Sequence, residues 1–230
     1  MLPRTLEPEV MDTPDESRDY DAMNHADVNR VFVADFLGAA SRLRESDAAF
    51  EVLDVGTGTA LIPIELCRQA NDCRVTAVDL AGEMLKLAAR NVAAAGFDAR
   101  IRLEQVDAKG MPFDDGRFPA VMSNSIVHHI PEPSAAVREM LRVLRPGGFV
   151  FVRDLLRPET AEQVERLVST YAGDENLHSQ AMFRNSLHAA LTVAEVGELL
   201  ESCGMPSTWV AQTSDRHWTI AGVRGESTEN

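Results

Sequence analysis

Cysteine is scarce in this sequence, with only Cys67, Cys73 and Cys203 among 230 residues. The three form neither a Cys-x-x-Cys pair nor an even-numbered disulfide set, and their spacing fits no zinc site. A disulfide-rich fold is therefore excluded, and reduced thiols in a cytoplasmic protein are the simplest interpretation.

Long hydrophobic runs are also missing. No stretch approaches the 18 consecutive apolar residues of a membrane-spanning helix. The acidic, proline-containing first residues have neither the basic head nor the apolar core of a signal peptide. We therefore expect a cytoplasmic protein without membrane insertion.

Basic residues are few: 22 Lys and Arg stand against 36 Asp and Glu, for a net charge of −14. This charge would repel a phosphate backbone, and the basic residues are scattered, so nucleic acid is disfavoured as a partner. Acidic residues crowd the first twenty-odd positions between prolines and threonines. We expect residues 1–23 to form a flexible acidic segment that could order when a ligand binds.

The remaining pattern is that of one α/β domain over residues 24–224, followed by a frayed tail at 225–230. Helical spacing of apolar residues predicts an entry helix from about Asn24 to Arg44. Short apolar runs then alternate with helical patterns, which implies a parallel sheet covered by helices on both faces. The predicted strands are 50–55, 74–78, 101–105, 120–123 and 149–152, and the predicted helices begin near Leu61, Gly82 and Pro133.

The pattern changes after Leu155. Residues 156–191 carry two helical stretches, longer than a strand connection needs, and we interpret them as a lid insertion. Thr192 and Glu195 have the spacing of a capping box, which predicts a helix that ends before Gly204. Strands 208–212 and 218–223 then flank a turn and are predicted to form an antiparallel hairpin.

The most informative motif is the turn after the first strand. Gly56-x-Gly58 alone is a weak signal, because glycines also serve tight turns that bind nothing. Asp79, however, ends the next strand 23 positions after Gly56, where a carboxylate can reach both ribose hydroxyls of a nucleoside. Together these features predict an adenosine-containing cofactor.

From Phe50 to Val152 the chain resembles the class I S-adenosylmethionine-dependent methyltransferases, in particular the small-molecule branch that includes quinone-biosynthesis enzymes. The resemblance rests on five ordered motifs, which are Val52-Leu53-Asp54-Val55-Gly56-Thr57-Gly58-Thr59, Val78-Asp79, Val106-Asp107-Ala108, Ser123-Asn124-Ser125-Ile126-Val127-His128-His129-Ile130 and Leu144-Arg145-Pro146-Gly147-Gly148. The family pattern has a third glycine where this chain has Ala60, and Ala60 is small enough to keep the site.

The resemblance implies a Rossmann-like doubly wound sheet of seven strands in the order 3-2-1-4-5-7-6 with the seventh antiparallel. It implies S-adenosyl-L-methionine as cofactor, with Asp54 near its amino group, the loop at its carboxylate and Asp79 on the ribose. Asp107 and Ala108 would read the adenine, unless Asp107 only stabilises a turn. The full expected cofactor-binding set is Tyr20, Asp54, Gly56, Thr57, Gly58, Asp79, Leu80, Asp107, Ala108, Ser123 and Asn124.

Two alternatives bear on the cofactor. A dinucleotide such as NAD would favour the third glycine and a helix N-terminus aimed at its pyrophosphate, and the last two motifs weigh against it. Tyr20 and Met23 precede the entry helix, where this family often folds a segment over the cofactor; a simple hydrophobic staple is the competing interpretation.

Methyl transfer is an in-line displacement that needs alignment, exclusion of water and, for some acceptors, removal of a proton. The carboxyl ends of the strands bring candidate groups to one rim of the predicted sheet. His128, His129 and Asp154 are the candidate catalytic residues, although paired histidines accompany this motif in enzymes with different acceptors. The candidate acceptor-binding residues are Arg153, Tyr171, His178, Arg184, Arg216 and His217, for which packing or mutual pairing is the alternative.

The sequence thus predicts methylation of a small-molecule acceptor on O, N or C, with no metal. Alternatives are a catalytically silent cofactor-binding adaptor or regulator, and a protein methyltransferase. The sequence is compatible with a homodimer.

Overall fold

The structure is a computed structural model that describes residues 2–10, 12–22, 26–41 and 50–225. The chain forms two compact units. The α/β unit comprises Val10–Asn124, Ala135–Val152 and Ala221–Asn230, and the helical unit comprises Met1–Glu9, Ser125–Ser134 and Arg153–Ile220. The predicted boundaries at 23/24 and 224/225 stay predictions, and Met23, Asn24 and the tail at 226–230 lie outside the described residues.

Seven strands form one sheet. They are β1 (Phe50–Val55), β2 (Cys73–Asp79), β3 (Ile101–Gln105), β4 (Phe118–Asn124), β5 (Leu144–Leu155), β6 (Val210–Gln212) and β7 (His217–Val223). Their order is β3-β2-β1-β4-β5-β7-β6. β1 pairs in parallel with β2 and β4, whereas β6 and β7 pair antiparallel. The predicted strand order and antiparallel seventh strand are confirmed.

Eight α-helices lie in the described ranges. They are α1 (Pro14–Ala22), α2 (Ala26–Ala39), α3 (Leu61–Gln69), α4 (Gly82–Ala95), α5 (Pro133–Val143), α6 (Ala161–Ala172), α7 (Leu177–Ala189) and α8 (Val193–Ser202). Among these helices, none is long and apolar enough to cross a membrane.

An aromatic cluster anchors the core of the α/β unit. Phe32 and Phe36 lie one turn apart on α2, and Phe149 and Phe151 lie on the same face of β5 because side chains alternate along a strand. All four are at most 4% exposed. The rings of Phe32 and Phe151 meet edge to face at 5.2 Å, an arrangement worth about 1 kcal/mol beyond the buried area. The entry helix is therefore fixed on the sheet.

The start of β5 differs from the prediction, which places the strand at 149–152. The strand begins at Leu144 and runs through the Pro-Gly-Gly sequence. Gly147 adopts φ +72°, and its amide donates to Arg224 O at 2.7 Å while the Arg224 amide donates to Gly148 O at 2.9 Å. This pairing with a distant residue, invisible in local sequence, lets the proline-glycine run continue as a strand.

Helix α1 lies in the acidic segment, where the sequence pattern predicts no element. Asp12 Oδ1 accepts a hydrogen bond of 2.8 Å from the Glu83 amide in the first turn of α4. Asn91 on α4 donates to Asp21 Oδ1 at 2.9 Å. Polar contacts of this kind hold α1 and the residues before it against α4. Because these contacts are polar, the sequence of α1 has no apolar periodicity that would predict a helix.

The helical unit has its own small core. α6 and α7 bury Val164, Leu167, Val168 and Leu187 with Leu155. Thr192 begins α8 with the predicted capping box: Thr192 Oγ1 accepts from the Glu195 amide at 3.2 Å, and Glu195 Oε2 accepts from the Thr192 amide at 2.8 Å. The expected lid residues thus form a packed helical pair.

Candidate active site

The turn after β1 is built from three residues in the left-handed region. Gly56, Gly58 and Ala60 have φ of +76°, +55° and +62°. Such angles suit glycine, and an alanine there costs about 1 to 2 kcal/mol. Ala60 is completely buried at the start of α3. The tight turn of the glycine-rich family loop is therefore kept where the third glycine is absent.

Buried polar atoms without partners line this turn. Asp54 at the end of β1 is only 2% exposed, and its Oδ2 has no hydrogen-bond partner in the described structure. The hydroxyls of Thr57 and Thr59 are also buried and make no well-formed hydrogen bond among the described residues, although Thr57 lies close enough to the Asp54 carboxyl to lower its pKa against the larger effect of burial. Burial raises the pKa of Asp54 to about 7. Because buried polar groups are normally paired, these three side chains fit a polar ligand such as an amino acid end.

Asp79 holds the turn to the end of β2. Its Oδ2 accepts from the Gly58 amide at 2.7 Å, and its Oδ1 accepts from the Ala81 amide at 2.9 Å. Burial raises the pKa of this carboxyl. A carboxylate has about four acceptor sites, so these two bonds leave capacity for the two hydroxyls of a ribose.

The loop amides themselves are already engaged. The amides of Gly56 and Thr57 donate to Val78 O at 2.8 and 2.9 Å, and Gly58 donates to Asp79. These bonds fix the turn against β2. The role expected for the loop at a ligand carboxylate stays a prediction.

Tyr20 from α1 covers the turn. A Cβ atom added to Gly58 would lie 3.7 Å from Tyr20 Cε1, so the ring lies against the glycine. Burial and the neighbouring Asp79 and Asp54 raise the pKa of Tyr20 to about 12. The Tyr20 ring thus lies beside the loop, and its expected contact with a cofactor stays a prediction.

The residues expected at the adenine lie after β2 and β3. Leu80 is 36% exposed beside Asp79, which leaves its apolar side chain available. Asp107 Oδ1 accepts from the Lys109 amide at 2.8 Å and pairs with Lys109 Nζ at 3.0 Å. This is the turn-stabilising arrangement that the sequence left as the alternative for Asp107. Ala108, partly exposed within that turn, remains a predicted contact.

Ser123 and Asn124 end β4 next to β1. Ser123 is fully buried, and its hydroxyl donates to Val55 O at 2.7 Å. It therefore braces the end of β1 where Asp54 lies. Asn124 is partly exposed at the strand end and keeps its predicted role beside the methionine portion.

The helical unit contains a second group of polar residues, here called the histidine cluster: Glu7, His128, His129 and Asp154. Asp154 is completely buried. Its Oδ1 lies 2.5 Å from His128 Nδ1, and its Oδ2 accepts from the amides of Val127 and His128 at 2.6 and 3.2 Å. The structure therefore brings the three predicted catalytic residues together.

Glu7 completes the cluster. Its Oε1 lies 3.4 Å from His128 Nε2 and 3.1 Å from His129 Nδ1. Although burial opposes it, Asp154 and Glu7 raise the pKa of His128 above its usual value. Burial and the neighbouring His128 lower the pKa of His129 to about 4. The pKa values of the two neighbouring imidazoles are therefore shifted in opposite directions.

Sequence reasoning missed Glu7, which lies 121 positions before His128. Residues 2–9 are held in place by Arg4, whose guanidinium donates to the carbonyls of His128, Ile130 and Ala189 at 3.1, 3.0 and 2.7 Å. No local pattern marks such a contact. Thr59, the buried hydroxyl next to Gly58, was also missed, although its place in the loop motif was a usable signal.

Two predicted acceptor-binding residues lie on β5 and β7. Arg153 is 8% exposed, and its Nε donates to Thr219 Oγ1 at 3.0 Å. His217 Nδ1 lies 3.0 Å from Ser214 Oγ, and burial with the nearby Arg216 lowers the pKa of His217 to about 4. Both side chains are partnered within the helical unit.

The predicted lid residues divide into two groups. Tyr171 donates to Asp215 Oδ2 at 2.8 Å, and the Arg216 guanidinium lies 3.4 Å from the centre of the Tyr171 ring. Arg184, in contrast, makes a two-pronged ion pair with Glu165 on α6. His178 is exposed on α7. Tyr171 and Arg216 therefore lie together in the structure. Within the described residues, Arg184 and His178 make no hydrogen bond or ion pair with the histidine cluster.

The strand order is that of the Rossmann-like fold of class I methyltransferases. The glycine turn after β1 and the acidic residue at the end of β2 are in the positions expected for that fold. Residues 52–148 match the family model described as a methyltransferase domain. Over these residues the chain is therefore similar to methyltransferase domains, in agreement with the resemblance.

Curated relatives of this chain are named as methyltransferases. The chain is similar to a ubiquinone/menaquinone biosynthesis C-methyltransferase of Geotalea daltonii, with 32% identity over 108 residues covering 46% of each chain. It is also 39% identical to a phosphatidylethanolamine N-methyltransferase of Cereibacter sphaeroides over 102 residues, which cover 44% of this chain and 48% of that one. The chain thus spans about half the length of these curated relatives.

A solved structure of an S-adenosylmethionine-dependent methyltransferase from Aquifex aeolicus has the same fold. Its TM-score is 0.63 at 18% identity, and the match covers 92% of this chain and 98% of that chain. This likeness supports the fold over nearly the whole chain.

Proposed function

We propose that this protein is an S-adenosyl-L-methionine-dependent methyltransferase that acts on a small-molecule acceptor. The observation that carries the proposal is the buried Asp54 carboxylate, whose Oδ2 has no partner among the described residues, beside a glycine turn held by Asp79. This combination suits a ligand with a cationic amino end and a ribose. When bound, S-adenosylmethionine supplies a methyl group on a cationic sulfur.

The chain's own residues would divide the work as follows. Asp54, Thr57 and Thr59 would satisfy the polar amino acid end, and Asp79 would accept from the ribose hydroxyls. Tyr20 would shield the turn from water. Expulsion of water strengthens these electrostatic interactions.

The acceptor class rests on the relatives. Those described above are named for methylation of carbon in quinone biosynthesis and of nitrogen in phosphatidylethanolamine, and another is a ubiquinone biosynthesis O-methyltransferase of Xanthomonas axonopodis. All three names refer to small molecules, but to different acceptor atoms. We therefore propose a small molecule and leave the atom open. The roles of His128, His129 and Asp154 in proton transfer, the cytoplasmic location and the homodimer stay predictions.

Calorimetric titration with S-adenosylmethionine tests the cofactor site. We expect a dissociation constant in the micromolar range and about 10- to 100-fold weaker binding in Asp79→Ala, since hydrogen bonds to a charged group contribute about 1.5 to 3 kcal/mol. Asp98→Asn, which changes an exposed carboxylate of the same unit, should bind like the wild type. Equal binding by Asp79→Ala, with circular dichroism showing a folded protein, would reject the site.

Methyl transfer is tested with tritium-labelled S-adenosylmethionine and separate panels of phenols, demethylated quinones, amine lipids and proteins. Transfer to one of the small-molecule panels supports the proposal. Cofactor binding without any transfer would favour an adaptor, and label on the protein panel alone would favour a protein methyltransferase; either result would overturn the proposed activity.

A further inference from the structure

We propose that Glu7, His128 and His129 form a binding site for one divalent transition-metal ion, with Zn²⁺ as the reference ion. Each of the three residues can offer one ligand atom, and these atoms lie within 4.8 Å of one another. All three residues belong to the helical unit, whereas Asp54 and Asp79 of the proposed methyl donor site belong to the α/β unit.

The spacing of the ligand atoms suits a tetrahedral ion. Zinc bonds of about 2.0 to 2.1 Å at tetrahedral angles place neighbouring ligand atoms about 3.3 Å apart. Glu7 Oε1 lies 3.4 Å from His128 Nε2 and 3.1 Å from His129 Nδ1. The third pair of ligand atoms, His128 Nε2 and His129 Nδ1, lies within 4.8 Å, and the two ring centroids are 4.1 Å apart. An ion bound to all three atoms therefore requires the histidine rings to rotate.

One ring nitrogen in the cluster lacks a hydrogen bond. His129 Nδ1 is buried and, within the described part of the chain, has no hydrogen-bond partner despite its approach to Glu7 Oε1. A buried polar atom without a partner is costly. Coordination of a metal would satisfy this nitrogen.

The other two ligands have supporting partners of the kind that metal sites use. The Nδ1 of His128 bonds Asp154 Oδ1 at 2.5 Å, which turns Nε2 toward Glu7. Asp154 is itself fixed by the amides of Val127 and Leu155, each at 2.6 Å. Ser186 Oγ donates to Glu7 Oε1 at 3.1 Å. Such carboxylate–histidine pairs orient metal ligands and raise their basicity.

The donor set selects the class of ion. Two imidazole nitrogens and one carboxylate favour Zn²⁺ and its neighbours in the transition series over Mg²⁺ and Ca²⁺, which prefer oxygen. Three protein ligands also leave a fourth position for water or another small ligand. An ion at this site occupies His128 Nε2, so this role and the predicted role of His128 as a base exclude each other.

Metal binding is measured directly on the full chain without a histidine tag. The protein is dialysed against chelator, then against Zn²⁺ at set free concentrations, and bound zinc is determined by mass spectrometry. We expect one Zn²⁺ per chain, and with Co²⁺ the visible absorption of a four-coordinate ion.

Glu7→Gln and His129→Gln are each expected to weaken Zn²⁺ binding at least 100-fold, and Asp154→Asn about 10- to 100-fold through the lost supporting bond. Glu175→Gln changes an exposed residue of the same unit and should bind Zn²⁺ like the wild type. Glu7→Gln keeps the size of the side chain and removes only its charge, so it decides the test if Asp154→Asn does not fold.

Equal zinc uptake by the wild type and Glu7→Gln would overturn the metal site, as would a wild type that binds no Zn²⁺. The same Glu7→Gln protein is titrated with S-adenosylmethionine. Retained binding of the methyl donor alongside lost zinc binding separates this inference from the proposed function.

Discussion

Replacement of Asp54 by asparagine should stabilise the ligand-free protein at neutral pH while it damages the cofactor site. Asp54 is 2% exposed, and its Oδ2 has no partner in the described structure, so its negative charge is poorly compensated. Burial raises the pKa of Asp54 from 3.8 to about 7. Asparagine keeps the shape of the side chain and removes the charge.

The magnitude follows from that pKa difference. The folded state holds the proton more tightly than the unfolded state, so wild-type stability falls as pH rises from about 3.8 to about 7 and then levels off. One pKa unit corresponds to about 1.4 kcal/mol, so the ionised Asp54 lowers the free energy of unfolding by about 4 kcal/mol at high pH. With partial hydration of the site we expect Asp54→Asn to gain about 2 to 4 kcal/mol above pH 7, or about 4 to 16 °C in melting temperature.

The assay is urea unfolding of wild type and Asp54→Asn at several pH values between 5 and 8 without ligand. The stability difference should grow with pH up to about 7 and stay constant above it. S-adenosylmethionine binding should weaken in the same variant. A variant that is less stable than the wild type at pH 8, or a difference that does not depend on pH, would refute the assignment of Asp54 as a buried carboxyl kept for a ligand.

Three further outcomes are expected. Gly148→Ala should cost about 1 to 3 kcal/mol in urea unfolding, because its Cβ would lie 2.8 Å from a backbone oxygen; Gly110→Ala, with open space around it, is the control, and an equal loss would contradict the packing argument. Asp12→Ala should cost about 1 kcal/mol by removing the cap on α4, with faster hydrogen exchange at the Glu83 amide; unchanged exchange would argue against the contact. Tyr20→Ala should weaken S-adenosylmethionine binding while Tyr20→Phe keeps it, since a ring carbon faces the loop; equal binding by both variants would remove Tyr20 from the site.

The central strands and helices could be predicted from the sequence because the patterns that specify them lie within each element. The strand at Phe50–Val55, the helix at Gly82–Ala95 and the strand at Ile101–Gln105 match the predicted bounds. Hydrophobic periodicity and glycine punctuation set these elements, and both are properties of neighbouring residues. The start of β5 depends instead on Arg224, more than 70 positions away, and no local rule contains that pairing.

The candidate site divides in the same way. Asp54, Gly58 and Asp79 follow from strand ends and a turn, and the structure brings them together through the Asp79–Gly58 bond. Glu7 reaches the histidines only because residues 2–9 are held by carbonyl contacts of Arg4. An acidic residue in a proline-rich segment gives no sign of such a partner.

Ala60 is a position at which the sequence and the structure are both needed. The sequence marks it as a departure from the family loop, and the structure places it at φ +62°. A side chain in that region carries strain of about 1 to 2 kcal/mol. The turn is kept despite this cost, as expected for a position fixed by the surrounding loop.

A crystal structure with S-adenosylhomocysteine tests the central claim most directly. We expect the ribose hydroxyls on the Asp79 carboxylate, the amino group within hydrogen-bond reach of Asp54, and the Tyr20 ring over the turn at Gly58. A ligand bound elsewhere, or a crystal grown at saturating ligand that shows no nucleoside at Asp79, would contradict the account.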